Sequence, residues 1–362
     1  MMSVAVANKQ HAPGDRVARG RQLLSIGAVT LVLAVITSLA IGPTGVSFQS
    51  LPRAVLARLG QTSEPQALRE KLILLDVRLP RVLLAVFVGG ALAVAGTMMQ
   101  GLFRNPLADP GIIGVSSGAA LAAVTVIALG NSLAAPWVRG FGVYALPAAA
   151  FLGGFATTTF LTMAAGRRGQ LAIGTLLLTG IAVSALAGSL TGLIAFASDD
   201  RELRDLTLWT LGSLAGANWA KVVAIIPFAV ILVWAVPRTT RALNGLLLGE
   251  AEAFHLGIDV ERSKRMIVLL TAAAVGAAVA VAGIIGFVGI IVPHLVRLFA
   301  GPDHRIVLPG SAILGAILVV AADIIARMVI RPAELPIGII IAVIGAPVFL
   351  HLVLRRGIGG ME

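Results

Sequence analysis

The sequence predicts an all-α polytopic membrane protein, a bundle of about ten transmembrane helices. Three observations predict it. Of 362 residues, 58% are hydrophobic and only 12% are charged, and the mean hydropathy is +0.97. The apolar residues form runs long enough to cross a bilayer. The charges sit in short segments between those runs. A water-soluble domain of this length needs a more polar surface, because its apolar residues must fit inside one or two cores. Here most of the chain requires an apolar solvent.

Residues 1–22 form a polar tail carrying Lys9, Arg16, Arg19 and Arg21. The run Leu23–Ile41 follows and has 19 residues. A signal-peptide core is shorter, about 7–15 residues, so this run is read as a retained first helix with its N-terminus in the cytoplasm. Further runs fall at Arg81–Phe103, Ile112–Gly130, Tyr144–Ala165, Leu171–Ala197, Trp219–Val236, Met266–Gly283, Gly286–Phe299, Val307–Ile325 and Ile337–Leu354. The ten define a transmembrane domain over residues 23–356, with a C-terminal tail at 357–362. An even count returns the chain to the cytoplasm, where Arg355 and Arg356 follow the last run.

Alternation then places Arg104, Arg167–Arg168, the stretch 238–265 and Arg297 through Arg305 inside. It places 42–80, 131–143, 198–218 and 326–336 outside. The outer set holds Arg53, Arg58, Arg69, Arg78, Arg201, Arg204, Arg327 and Arg331. The positive-inside bias is therefore weak, and the outer arginines predict an acidic partner on that side. A net charge of +11 in a soluble chain would suggest nucleic acid. Here its distribution follows topology, and no nucleic-acid partner is expected.

Glycine pairs at Gly114–Gly118, Gly188–Gly192 and Gly212–Gly216 have the spacing that lets helices approach closely. The eighth run, Gly286–Phe299, has 14 residues and contains Pro293. At about 1.5 Å per residue it is too short for a core about 30 Å thick. A broken helix is tolerated only against protein or a water-filled cavity, which favours a transport path over a passive anchor. The cytoplasmic stretch 238–265 includes the amphipathic segment Leu248–Leu256. It reads equally as a docking element or an ordinary surface loop.

The chemistry that the chain lacks is informative. There is no cysteine, hence no disulfide and no thiolate metal site. No lysine lies in a G-x-x-x-x-G-K-[ST] cradle. No chain of acids and histidines forms a proton relay, which disfavours an ion-coupled secondary transporter. Asp323 and Arg327, four apart, can pair on one helix face; the pair reads as a functional site or as a helix-end staple. His294 reads as a packing residue or a ligand, and Met98 and Met99 as core. The expected chain is a transport subunit and no enzyme, binding no metal or cofactor itself. ATP and Mg would belong to a separate ATPase.

Particular blocks carry a resemblance. They are Arg78-Leu-Pro-Arg81, Gly101 through Gly118, Gly286 through Arg297, Asp303-His-Arg305, Glu334 through Gly338 and Gly345 through Phe349. In order and content they resemble the FecCD-type permease family that imports ferric siderophores, haem and cobalamin. The resemblance covers roughly Arg78 to Leu354. It implies a cobalamin-permease-like bundle in the bacterial inner membrane. It further implies a homodimer, two ATP-binding subunits and a periplasmic substrate-binding protein. Binding-protein docking would carry over to Arg78, Arg81 and Arg327. ATPase coupling would carry over to Leu248, Gly249, Glu250, Ala253, Leu256 and Gly257. A cytoplasmic gate would fall at Ala172, Ile173 and Gly174, where the hydroxyl residues of the cobalamin member are replaced. The segment Asp199 through Leu214 most resembles the haem branch, so haem is favoured over a ferric siderophore or cobalamin.

Overall fold

Inside a bilayer no water can satisfy a backbone N–H or C=O, so an apolar chain must satisfy these groups itself, and the helix does so within one segment. A computed structural model describes residues 13–42, 45–62, 64–130, 135–167, 170–330 and 333–359. Lys9, Arg168 and Arg331, most of the expected N-terminal tail and the last three residues lie outside the described set.

The helices run in chain order as α1 (Pro13–Ala40), α2 (Leu51–Arg58), α3 (Pro65–Lys71) and α4 (Leu79–Leu102). Then come α5 (Val115–Leu129), α6 (Ala135–Gly140), α7 (Ala145–Ala165) and α8 (Ile173–Ala197). The remainder are α9 (Asp200–Thr210), α10 (Trp219–Leu248), α11 (Glu250–His255), α12 (Val260–Ala282), α13 (Val288–Ala300), α14 (His304–Val329) and α15 (Ile337–Gly359). A two-residue antiparallel ladder, β1 (Gly166–Arg167) with β2 (Gln170–Leu171), joins α7 to α8. Among the described residues seven helical segments are long and apolar enough to cross a membrane. Three shorter apolar helices, Val115–Leu129, Val288–Ala300 and Ile337–His351, match the remaining expected runs.

Several boundaries differ from expectation: α1 begins at Pro13, inside the expected polar tail, and α12 at Val260 rather than Met266. The sixth run was expected to end at Val236, but α10 continues to Leu248 through Pro227 and Pro237. Arg238 and Arg241 interrupt the hydropathy, yet they point outward while Ala242, Leu243 and Leu246 pack against protein. The outer segment 42–80 is largely helical. Residues Pro65–Leu102 form one continuous span, with a π-helical stretch at Leu72–Arg78. The polar residues of α3 hid this continuity.

The ends of the bundle are fixed by side-chain contacts. Arg81 of α4 meets Asp323 of α14 at one end. At the other end Gly101 of α4 lies under His304, the first residue of α14. The two helices are therefore antiparallel, as alternation requires. The arginine end is the one assigned to the outside, and α11 lies at the opposite end, the one assigned to the cytoplasm.

Helix α4 is the hub. It is the most buried of the spanning segments, with α12 close behind; α1 and α8 are largely exposed. Backbone meets backbone at its glycines. A Cβ at Gly89 would overlap the Gly315 carbonyl of α14, and one at Gly96 would overlap the Gly289 carbonyl of α13. Lipid tails give helices no hydrophobic drive to associate, so such close packing carries the association. The expected glycine pairs divide. Gly118 packs on Gly153 and Thr157 of α7, as its spacing suggested. Gly188 and Gly192 face open space. Gly212 (φ +71°) lies in the turn after α9, outside any helix, where its Cβ would strike Ile284 O.

Two helices start part-way through the bundle. Helix α5 follows a 3₁₀ turn at Pro110–Ile113, and α13 follows the non-helical stretch 283–287, in which Phe287 takes a left-handed φ of 64°. The two starts touch, Pro110 lying against Gly289. Their backbone groups find partners inside the protein. Gln100 Nε2 donates to Gly289 O at 3.0 Å and to Ile290 O at 3.1 Å. Thr158 Oγ1 donates to Ile113 O at 3.0 Å, and Ser213 N–H donates to Ala282 O at 2.7 Å. The short eighth run is thus a part-depth helix enclosed by protein.

This packing makes a prediction. Gly96→Leu should cost about 1–3 kcal/mol or more by overpacking and lower the melting temperature in detergent by several degrees. Gly188→Leu, open within the chain, should leave the melting of the isolated chain unchanged. Equal melting of the two variants would contradict the hub.

Candidate functional site

Two sites at opposite ends of the bundle carry the functional expectations. At the outer end, the guanidiniums of Arg81 and Arg327 meet the carboxylates of Asp323 and Glu334, with Arg78 nearby on backbone carbonyls. Arg81 Nε lies 2.9 Å from Asp323 Oδ1, and its Nη1 lies 2.8 Å from Glu334 Oε2 and 3.0 Å from Oε1. Arg327 Nε lies 3.0 Å from Asp323 Oδ2 but is aligned with the Asp323 carbonyl at 3.3 Å. That contact is an ion pair without a well-directed hydrogen bond to the carboxylate. The i,i+4 pairing read from the sequence is present, and Arg81, from a distant helix, completes it.

The remaining donors cap α1. Arg78 Nη1 donates to Leu39 O at 2.6 Å and Val46 O at 3.1 Å. Arg327 Nη2 donates to Ser38 Oγ at 2.7 Å, and Nη1 to Ile41 O at 3.5 Å. The last carbonyls of a helix lack partners within it and carry partial negative charge, so guanidiniums suit them.

These residues were expected as binding-protein docking arginines on the outer side. The structure instead turns all three into the chain. Arg78, Arg81 and Arg327 are 3%, 6% and 4% exposed, and Asp323 is fully buried. The reason is energetic: an unpaired charge beside hydrocarbon is costly, so the arginines recruit acids and carbonyls from their own chain. Glu334, whose side chain is 33% exposed, is the one member of the cluster open to a partner. Other outer arginines (Arg53, Arg69, Arg201 and Arg204) are exposed, and Arg58 pairs with Asp76 at 2.7 Å.

At the end assigned to the cytoplasm lies the segment 248–257, expected as a docking element or a surface loop. The segment is a short helix set between two glycines, Gly249 (φ +126°) and Gly257 (φ +75°), conformations that an L side chain rarely adopts. Ala253 is buried beneath it, while Leu248, Phe254 and Leu256 are 65%, 70% and 56% exposed. Together these three form an apolar rim at that end of the bundle. Beside it, Ala172 and Gly174 are exposed and Ile173 half-buried at the start of α8. The residues expected as gate and those expected as coupling element therefore lie on the same end, with α12 between them.

A second polar set ties that end together. Asp303 caps α14 through Arg305 N–H at 2.9 Å. Asn244 of α10 donates to Asp303 Oδ1 at 2.7 Å and accepts from His304 N–H at 2.9 Å. Arg297 pairs with Gln100. The Asp303-His-Arg305 block was visible in the sequence; Asn244 was not, because nothing in a long apolar helix marks which asparagine finds a distant cap. Burial pushes the Asp109 carboxyl up, partly offset by the Gly111 N–H that it accepts at 2.7 Å. Met98 and Met99 are fully buried core residues, and His294 is half-buried in α13.

Comparison with known proteins gives the family. The model of the FecCD transport family matches residues 30–355. The hemin transport system permease HmuU of Yersinia pestis is 43% identical over 341 residues, 93% of this chain and 96% of that protein. The cobalamin import system permease BtuC of Halobacterium salinarum is 45% identical over 280 residues, 77% of this chain and 73% of that protein. The vitamin B12 import permease BtuC of Vibrio cholerae is 41% identical over 79% of this chain and 84% of its own length. A solved inward-facing transporter, provisionally described as metal-chelate type, superposes with a TM-score of 0.77 at 32% identity, covering 92% of this chain and 99% of that one. The chain belongs to the FecCD transport family and is the membrane-spanning permease of an ABC importer.

Proposed function

We propose that the chain is one half of a haem-importing permease in the bacterial inner membrane. It would work as a homodimer with two ATP-binding subunits and a periplasmic substrate-binding protein. The observation that carries haem is coverage: similarity to the hemin permease extends over 93% of this chain, against 77% and 79% for the two cobalamin permeases. The segment Asp199–Leu214 supports the same branch. A seam for the second copy is supported by α8, whose Gly188 and Gly192 have open space and whose apolar face is exposed. The rim of Leu248, Phe254 and Leu256 supports an ATPase contact. Nucleotide and Mg are held by that ATPase, and substrate crosses on the dimer axis as the two ends open in turn.

Reconstitution tests this reading. Vesicles holding the permease, its ATPases and the binding protein should take up haem only with ATP, and excess cobalamin or ferric siderophore should compete weakly. Uptake driven by an ion gradient alone would support a secondary transporter instead. Preferred uptake of cobalamin or a siderophore would remove haem while leaving the importer.

Docking follows from the geometry of the arginine cluster. We propose that an acidic group of the binding protein displaces Glu334 from Arg81, with Arg78 and Arg327 holding the cluster in place. Glu334→Gln should then lower the binding-protein concentration needed for half-maximal ATPase stimulation by about two- to fivefold, the size of a partly exposed ion pair. An unchanged or higher concentration would contradict the exchange.

A further inference from the structure

The cytoplasmic end holds a buried lysine that packing alone does not require. Lys264, in the second turn of α12, is 3% exposed. Its ammonium lies 2.7 Å from Glu250 Oε2, on the first residue of α11. It lies 3.1 Å from Glu261 Oε1, three residues back on its own helix. Glu261 then uses its other oxygen, Oε2, to accept the Leu171 N–H at 2.6 Å. Leu171 ends β2 and is itself buried, and α8 begins two residues later.

A line of three polar contacts thus runs from α11, across α12, to the entrance of α8. Each contact depends on the next. A lysine withdrawn from water needs its carboxylates, and a carboxylate that accepts a backbone N–H fixes that strand. Glu250, with a side chain 48% exposed, is the end of the line within reach of a partner. β2 is held by a two-residue ladder with β1, by burial of Leu171 and by the Glu261 carboxylate.

We propose that Lys264 and Glu261 form a strut that transmits displacement of α11 to the start of α8. They are positioning residues for transport: they touch neither nucleotide nor substrate. When α11 moves with its partner, the strut drags Leu171, and Ala172–Gly174 move with it. This inference rests on the reading of α11 as the ATPase contact and of 172–174 as the gate. The strut supplies the physical contact by which one site biases the other, which proximity alone does not.

The test uses the full transporter in vesicles, measuring ATP hydrolysed and haem delivered in parallel. Lys264→Met keeps the length of the stem and removes the charge. Glu261→Gln keeps an acceptor for Leu171 and weakens the hold on Lys264. Both should keep their ATPase bound and hydrolysing, while transport per ATP falls tenfold or more; Lys264→Arg should recover most of the coupling. Hydrolysis and transport falling in proportion, or transport per ATP unchanged, would overturn the strut. Loss of the ATPase from the complex would also overturn it, since the pair would then serve assembly. The underlying reading is checked separately. The chain has no native cysteine, so Phe254→Cys is a unique cross-linking site. Failure to cross-link to the ATPase would sink the coupling assignment of α11, whatever the strut variants do.

Discussion

The close approach of α4 to α14 and α13 at Gly89, Gly96, Gly289 and Gly315 is the contact on which the rest depends. In hydrocarbon there is no gain from hiding apolar surface against other apolar surface, so helices hold together where they fit most tightly. With no side chain between them, the backbones touch. This brings Arg81 level with Asp323 at one end and Gly101 under His304 at the other. It also sets α13 at the right depth for Gln100 to reach the carbonyls of Gly289 and Ile290.

The polar network follows from the same scarcity of water. Three arginines at the outer end use two acids and the last carbonyls of α1. A lysine at the cytoplasmic end uses two glutamates. Each cluster holds a partly exposed acid, Glu334 outside and Glu250, the more exposed of two, inside. Each end therefore has a charge that a partner can compete for and a buried remainder that keeps the fold. The result is a tightly packed centre with charged groups at both ends.

The apolar runs were legible because the transfer of twenty residues from water to lipid outweighs any local preference. The family was legible because its blocks recur intact and in order. The extension of α10 was not, since hydropathy stops at Arg238 while the helix continues on packing. The decisive glycines were hidden too. Gly89 and Gly96 lie on one helix without the four-residue spacing, and their partners lie on others. Gly188–Gly192 had the spacing but faces open space within the chain. At the docking site the local pair Asp323–Arg327 could be read from spacing. Its link to Arg81, 242 residues away in sequence, could not. That link turned expected surface cations into a buried cluster.

The central claim is that the α4–α14 hub stays fixed while the start of α8 moves. The cysteine-free chain allows this to be measured with paired spin labels, labelled copies being diluted with unlabelled chain so that distances are read within one copy. Leu72 and Val329 are exposed at the outer ends of the hub helices, and Thr175 is exposed at the start of α8. Between the nucleotide-free and ATP-trapped transporter, the Leu72–Val329 distance should stay constant and the Leu72–Thr175 distance should shift. A hub distance that changes as much as the α8 distance, or an α8 distance that never changes, would contradict the account.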